Sequence, residues 1–320
     1  MPRIVFLDPT TDDRMARMGG FLAPGWTLDN ASSRDPDAQL AALEGADYAI
    51  VSDVPMTAAM MAVPGLKAVH KWGVGFDNID LEAARRQGVR VFRTTGSNAI
   101  TVAETALGMI LALNRNIVRG HVAVEDGRWP KSELAVTSST LSGKTVGIVG
   151  LGYIGKALAG LLRGFGCRVL YSKRTPLAET EERELGVSFA ALPDLLQSAD
   201  VVTLNCELND STRNMINRDT LALMKPEALL INVARGGVVV ESDLAEAIRA
   251  HRLRGAGVDV FSVEPVQPDN PLLGLDRVIV TPHIAAVSAD GFGASVQRMF
   301  GNFEAMEQGA PPPLAIDVLV

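Results

Sequence analysis

Cysteine is scarce in this chain: two residues in 320, Cys167 and Cys206. They stand at no metal-ligand spacing, which argues against a disulfide framework and a structural zinc, and no metal is expected. Histidine occurs four times, at His70, His121, His251 and His283, so acid/base chemistry has few positions to fall on. No apolar run approaches the roughly 18 residues of a membrane span. The start, Met-Pro-Arg-Ile-Val-Phe-Leu-Asp, reads as a first strand and not as a signal peptide, so a cytoplasmic protein is expected. Positive charge is in deficit, with a net charge of −7, which argues against nucleic acid or an anionic membrane as main partner. Internal repeats and low-complexity tracts are absent. What is present is 47% hydrophobic and 21% charged residues, the balance of a globular protein long enough for two domains.

The most informative stretch is Lys144-Thr-Val-Gly-Ile-Val-Gly150-Leu-Gly152-Tyr153-Ile154-Gly155. A run of β-formers leads into G-x-G-x-x-G, and Ile154, Ala157, Leu158, Leu161, Leu162 and Phe165 follow at helical spacing up to Gly166. That is the strand–turn–helix context of a dinucleotide fingerprint. Gly150 permits the tight turn, Gly152 lets backbone approach a pyrophosphate, and Gly155 lets helix and strand pack closely. The helix N-terminus offers unpaired N–H groups to the phosphates.

Ahead of the fingerprint the chain already alternates strand and helix. Strands are predicted at Ile4–Leu7, Tyr48–Val51, Leu66–His70 and Val89–Phe92, and helices at Asp12–Gly19, Asp37–Glu44, Thr57–Val63 and Leu81–Gln87. From Thr101 to about Gly120 runs a helix apolar on nearly every side, expected to be buried between domains or subunits. Residues 124–142 read as an irregular arm. Beyond the fingerprint, strands are predicted at Arg168–Tyr171, Val201–Asn205, Leu229–Val233, Gly257–Phe261 and Val278–Thr281, with helices at Ala191–Ser198, Arg218–Met224 and Ser242–Ala250. A last helix over Ser288–Gln308 is placed to return to the first unit. The expectation is α/β: two doubly wound parallel-sheet domains, the second a Rossmann domain inserted into the first. The boundaries are 1–100 plus 287–320 for a flavodoxin-like substrate domain and 101–286 for the dinucleotide-binding domain.

Ligands of open α/β sheets bind outside the carboxyl ends of the strands. Three successive strands of the second unit end in Arg235, Glu264 and His283. A guanidinium binds a carboxylate bidentately and polarises an adjacent carbonyl. An imidazole protonates a carbonyl oxygen, and a carboxylate beside it favours the imidazolium. The set suits reduction of a 2-oxo acid. Arg235 also admits a loop salt bridge and Glu264 a cap for residues 266–270. His70, His121 and His251 fall in a strand, a helix and a helix end, where surface or core roles are expected.

Taken together, Gly73-Val-Gly-Phe-Asp-Asn-Ile-Asp80, Asn98-x-x-Thr-Val-Ala-Glu104, the glycine fingerprint, Asn232-Val-Ala-Arg-Gly236, Gly257-Val-Asp-Val-Phe261, Val263-Glu-Pro265 and Thr281-Pro-His-Ile284 resemble the D-isomer-specific 2-hydroxyacid dehydrogenase family over nearly the whole chain. The resemblance implies substrate binding by Arg235, a tuning acid in Glu264 and an acid/base in His283. It also implies a substrate carboxylate held by the N–H groups of Val74 and Gly75. Cofactor contacts are implied from Thr101, Gly150, Gly152, Tyr153, Ile154, Gly155, Ser172, Cys206, Val233, Ala234, Asp259, His283 and Ala285. Asp259 and the Val233–Ala234 backbone would take the nicotinamide carboxamide. The product would be a D-2-hydroxy acid, with glyoxylate or hydroxypyruvate as substrate type and a homodimer as the assembly.

An NAD-binding unit carries an acidic residue about 20 residues beyond its glycines for the ribose hydroxyls. Here that strand end reads Tyr171-Ser172-Lys173-Arg174-Thr175, with no carboxylate before Glu179. Lys173 and Arg174 suit a 2′-phosphate, so NADP(H) is the expected cofactor, with NAD(H) possible. After the fourth strand the family often has His and Pro where this chain has Asn205-Cys206-Glu207. Two other readings stay open: a phosphoglycerate dehydrogenase-type enzyme, in which Lys71 would meet a second anion, and a non-enzymatic dinucleotide sensor similar to the C-terminal binding corepressors. Formate dehydrogenases are similar but put Gln where Glu264 stands. Side chains of Val54, Trp72, Val74 and Phe292 are expected to set specificity.

Overall fold

The computed structural model describes residues 1–320. Its first elements are β1 (Arg3–Phe6), α1 (Asp12–Gly19), β2 (Thr27–Asn30), α2 (Pro36–Ala42), β3 (Tyr48–Val51), α3 (Ala58–Met61), β4 (Ala68–Lys71), α4 (Leu81–Gln87) and β5 (Arg90–Arg93). There follow α5 (Ala99–Asn114), α6 (Ile117–Glu125), α7 (Lys131–Thr137), β6 (Thr145–Val149), α8 (Tyr153–Leu162), β7 (Arg168–Ser172), α9 (Glu179–Leu185), β8 (Val187–Phe189), α10 (Leu192–Ser198) and β9 (Val201–Leu204). The chain closes with α11 (Arg218–Leu221), β10 (Leu229–Asn232), α12 (Glu241–Arg249), β11 (Gly255–Val258), β12 (Val278–Val280) and α13 (Phe292–Glu307). Two compact units result, Met1–Asn98 with Val287–Val320, and Ala99–Ala286.

The first unit holds a five-stranded sheet in the order β2-β1-β3-β4-β5, and the second a seven-stranded sheet in the order β12-β11-β10-β9-β6-β7-β8. Every pairing is parallel. Strands β3, β9 and β10 are buried at every position, as helices on both faces of a sheet require. Side chains alternate between the two faces. On β10, Leu230 joins one apolar cluster while Leu229 and Ile231 join the other; on β1, Val5 and Ile4 divide in the same way. The expected α/β architecture with two parallel sheets is therefore the observed one.

Helix starts follow local chemistry. Asp35 caps α2 by accepting from the Ala38 N–H, with Pro36 in the first turn, and Asp80 caps α4 by accepting from the Ala83 N–H. His70, on β4, is fully buried, with Nδ1 bonded to the Lys71 carbonyl oxygen and Nε2 facing the Asn302 amide of α13. It is a core residue. His121 is exposed beside Glu125, and His251 bonds Arg277.

Several elements differ from expectation. Strands β2 and β8 and helix α9 have no counterpart among the predicted elements. Both strands are sheet edges, one bearing the polar sequence Thr-Leu-Asp-Asn and the other only three residues long, so neither carries an apolar signature. The long helix from Thr101 is broken at Asn116, whose φ of 52° is left-handed and whose amide donates to Leu134, Thr137 and Ser138. Part of the supposed irregular arm is helix α7. The apolar faces of α5 are used inside its own unit, against α8, β10 and β11, with Val102, Ala106 and Ile110 buried. Exposed apolar side chains lie instead on the arm that follows, among them Ile117, Val124, Trp129 and Val136. No helix is long and apolar enough to cross a membrane.

Candidate active site

At the glycine fingerprint, β6 ends at Val149 and Gly150 turns with a φ of 94°. A Cβ on Gly150 would lie 2.7 Å from the Asn205 carbonyl carbon and the Cys206 nitrogen, and one on Gly155 would lie 2.4 Å from the Gly150 oxygen. The protein side of the turn is thus closed by backbone. A Cβ on Gly152 would meet nothing within 4 Å. Gly152 caps α8 with no side-chain hydrogen bond, and the Tyr153 and Ile154 N–H groups that open the helix have no protein acceptor. Beside the turn, the buried Asn205 Oδ1 also lacks a partner. An open face, an uncapped helix N-terminus and an orphaned acceptor fit a dinucleotide pyrophosphate and its ribose. Burial pushes the Cys206 thiol up to about 11, so near neutrality it stays protonated and contributes through its backbone.

Strand β7 ends at Ser172, and the half-buried Lys173 and exposed Arg174 follow. Neither makes a hydrogen bond or ion pair within the protein. Glu181 binds Lys156 at 2.5 Å and Glu182 accepts from the Tyr171 hydroxyl at 2.6 Å. Thr101 is half-buried in the first turn of α5, while Val233, Ala234 and Ala285 are buried and have only backbone to offer a ligand.

The chemistry-bearing side chains gather where β10, β11 and β12 end. His283 Nδ1 lies 2.7 Å from Glu264 Oε2, and Glu264 Oε1 accepts from the Phe261 N–H at 2.9 Å. Burial alone would raise the pKa of the Glu264 carboxyl. The bond to His283, its charge, the Phe261 N–H and the charge of Arg235 together hold it below the usual value. Glu264 is therefore ionised at neutral pH, and Nδ1 of His283 is its donor.

What holds these side chains in place was not legible as function. Asp259 is buried, and its Oδ1 accepts from the Thr281 hydroxyl at 2.6 Å and the Ile284 N–H at 2.9 Å. Its Oδ2 accepts from the Ala285 N–H at 2.9 Å, and its carbonyl oxygen from the His283 N–H at 2.8 Å. One carboxylate thus fixes the whole turn in which His283 sits at a left-handed φ of 54°. Asn232 closes the next turn, donating to the Arg235 carbonyl oxygen and accepting from the Ala234 N–H. Glu241, at the start of α12, accepts from the Ser262 N–H at 2.6 Å and so braces the loop that carries Glu264. Sequence reasoning quoted Asn232 and Asp259 within motifs but missed their bracing roles, and missed Glu241 altogether. Asn232 ends β10, Asp259 directly follows β11 and Glu241 opens α12.

In the first unit, the loop after β4 is framed from outside. The Gly73 N–H donates to Thr94 Oγ1 at 3.0 Å, and the Val74 carbonyl oxygen accepts from Arg93 Nη1 at 3.1 Å. The N–H groups of Val74 and Gly75 have no protein acceptor. Two adjacent free N–H groups on a braced loop form a small anion-binding concavity. Two expectations for this unit need correction. Val54 is buried, so its side chain is core, and Lys71 is buried with its ammonium on the Ser52 carbonyl oxygen, where it braces a loop. Trp72 and Phe292 are half-buried and pack together at 5.6 Å.

A parallel sheet carrying this fingerprint, and a His–Glu pair with an Arg at its carboxyl edge, define a dinucleotide-dependent oxidoreductase. The family model for the D-isomer specific 2-hydroxyacid dehydrogenase NAD-binding domain matches residues 107–285. The chain belongs to that family and is an oxidoreductase acting on CH–OH groups. It is 38% identical over 259 residues to a glyoxylate reductase of Pyrococcus furiosus, covering 79% of this chain and 76% of the relative. A crystal structure of a Thermus thermophilus protein superposes with a TM-score of 0.87 at 34% identity, covering 99% of this chain and all of that one. An NAD-dependent formate dehydrogenase from Staphylococcus aureus, solved with NAD, superposes with a TM-score of 0.89 at 26% identity, covering 99% of each chain.

Proposed function

We propose that this enzyme reduces a small 2-oxo acid of the glyoxylate or hydroxypyruvate type to the D-2-hydroxy acid, with NADPH as preferred donor. The observation that carries the reading is the 2.7 Å contact between His283 and Glu264, with the charge of Arg235 acting on the same carboxylate. In this reading His283 gives its Nε2 proton to the substrate carbonyl oxygen, and Glu264 stabilises the imidazolium before transfer. Arg235 binds the substrate carboxylate and polarises the carbonyl; the N–H groups of Val74 and Gly75 are the first unit's proposed anion-binding groups. The bound dinucleotide supplies the hydride. Gly150, Gly152, Tyr153, Ile154 and Gly155 hold its pyrophosphate, and Thr101 lies near the phosphate. Cys206 serves the adenine side through its backbone. Asp259 Oδ2, which takes a single N–H, and the backbone of Val233, Ala234 and Ala285 receive the carboxamide.

Lys173, Arg174 and Ser172 are proposed to select the 2′-phosphate, supported by the two cations having no carboxylate partner of their own. Formate oxidation moves a hydride but no O–H proton, so a hydrogen-bonded His–Glu pair favours oxo-acid chemistry over it. The units are proposed to divide the work, 1–98 with 287–320 for substrate and 99–286 for the dinucleotide. The exposed apolar arm supports a homodimer; sedimentation as a monomer at micromolar concentration would contradict it. The deciding experiment is steady-state oxidation of NADPH and NADH against a panel of 2-oxo acids, with chiral analysis of the product. No turnover on any acid would reject the reductase reading and leave a dinucleotide sensor.

A further inference from the structure

We infer that Arg14 forms a subsite for a second anionic group, so that the enzyme also accepts 2-oxo acids that carry a distal carboxylate or phosphate. The inference rests on the reductase reading and extends it to a substrate class.

Arg14 sits in the first turn of α1, where Thr11 caps the helix by accepting the Arg14 N–H. A cation there opposes the positive end of the helix dipole, which Asp12 and Asp13 already satisfy. Its guanidinium carbon lies 4.5 Å from the centre of the Trp72 ring and 5.8 Å from that of Phe6. Trp72 immediately precedes the Gly73-Val74-Gly75 loop with its two unpaired N–H groups. The guanidinium is half-buried and donates no hydrogen bond within the protein, nor does it reach any carboxylate at ion-pair distance. Burial lowers its pKa, against the opposing pull of Asp8 and Asp53, while the charge of Arg17 adds to the lowering.

The nearest acids are poor partners for it. Asp8 spends its carboxylate on the N–H groups of Ser52, Asp53 and Val54, at 2.5, 2.7 and 3.1 Å. Asp53 is exposed and faces the Ser52 hydroxyl at 3.4 Å. Arg17 adds positive potential alongside, stacked 4.4 Å from the centre of the Phe292 ring. The aromatic pair Trp72–Phe292 is therefore capped by cations from α1. What it offers a ligand is a guanidinium edge of planar donors, the geometry that recognises carboxylate or phosphate. Placing an unbonded cation against the dipole and partly out of water is costly for folding, and the cation–π contact offsets only part of that cost. A ligand anion would complete it.

The test compares wild type, Arg14→Leu and Arg14→Lys. kcat/KM is measured with saturating cofactor for glyoxylate, which has no distal group, and for oxaloacetate, 2-oxoglutarate and 3-phosphohydroxypyruvate. The ratio of the best dianionic acid to glyoxylate should fall about 10- to 100-fold in Arg14→Leu and less in Arg14→Lys. Whether the phosphate or a dicarboxylate loses most identifies the distal group. In parallel, malonate, succinate and glutarate should raise the melting temperature of the cofactor-bound wild type more than acetate does, and Arg14→Leu should abolish that difference. An unchanged substrate ratio with unchanged dicarboxylate stabilisation would overturn the inference and leave Arg14 as a packing cation. Absence of turnover on every acid would reject the reductase reading, while the dicarboxylate titration would still decide on Arg14.

Discussion

Gly236 lies so close to Phe261 that a Cβ built on it would stand 1.9 Å from the Phe261 carbonyl carbon. The turn that carries Arg235 and the loop that carries Glu264 thus meet backbone to backbone, and the absence of a side chain is what allows it. Gly236→Ala should force the loops apart at a cost of roughly 1–3 kcal/mol or more, the usual scale of overpacking. A lowered melting temperature and a lost turnover, with NADPH affinity little changed, are expected. Wild-type melting and kcat would mean the loops yield freely.

The His283–Glu264 pair sets a pH dependence with a definite sign. With His283 as the proposed proton donor, the rate of reduction should fall as pH rises. Glu264, ionised because its own pKa is held down, favours the imidazolium. Glu264→Gln removes that charge, so the alkaline fall-off should move to lower pH. His283→Ala should lower kcat by roughly 10²- to 10⁴-fold at all pH values. A pH–rate profile unmoved by Glu264→Gln would remove the pair from proton transfer.

Arg235 should show in KM. Arg235→Ala is expected to raise it steeply for every 2-oxo acid, and Arg235→Lys should restore little, since a point charge cannot replace a bidentate fork. Unchanged KM in the alanine variant would place the substrate carboxylate elsewhere.

Cofactor choice should reside in Lys173 and Arg174. Charge-assisted hydrogen bonds contribute about 1.5–3 kcal/mol each, less where solvent screens them, and both side chains stand at an open strand end. A preference for NADPH of roughly ten- to a thousandfold in kcat/KM follows. Lys173→Asp with Arg174→Pro should invert it, and salt should weaken the wild-type preference. A wild type that already favours NADH would show the two cations to be a solvated strand end.

His70 predicts a stability change distinct from that of the carboxylates. Burial pushes its pKa from 6.5 down to about 4, so the folded protein holds it neutral. Above pH 6.5 neither folded nor unfolded chain protonates it. Between there and pH 4 only the unfolded chain does, so stability should drop by about 3 kcal/mol as pH falls through that window. Urea midpoints followed from pH 7 to 4 should decline less steeply in His70→Gln than in wild type. Parallel declines would assign the loss to other groups.

The sequence by itself determined the two parallel α/β units, the dinucleotide turn, and Arg235, Glu264 and His283 as the groups to test. Those features are written locally: buried strands as short apolar runs, helices as apolar periodicity between caps, and the turn as glycines at fixed offsets. Tertiary structure alone decided how charges are used. Asp259 and Glu241 brace the site because sheet order brings the ends of β10, β11 and β12 side by side, over sequence distances no local pattern encodes. Lys71 and Arg14 illustrate the same point from opposite directions. Both are cations near the Gly73–Gly75 loop, yet the first is buried on the Ser52 carbonyl oxygen and the second lies over Trp72 with its donors unspent. Edge strands β2 and β8 escaped notice for a related reason, since their signal comes from a neighbour's open hydrogen-bonding edge and not from their own apolar content.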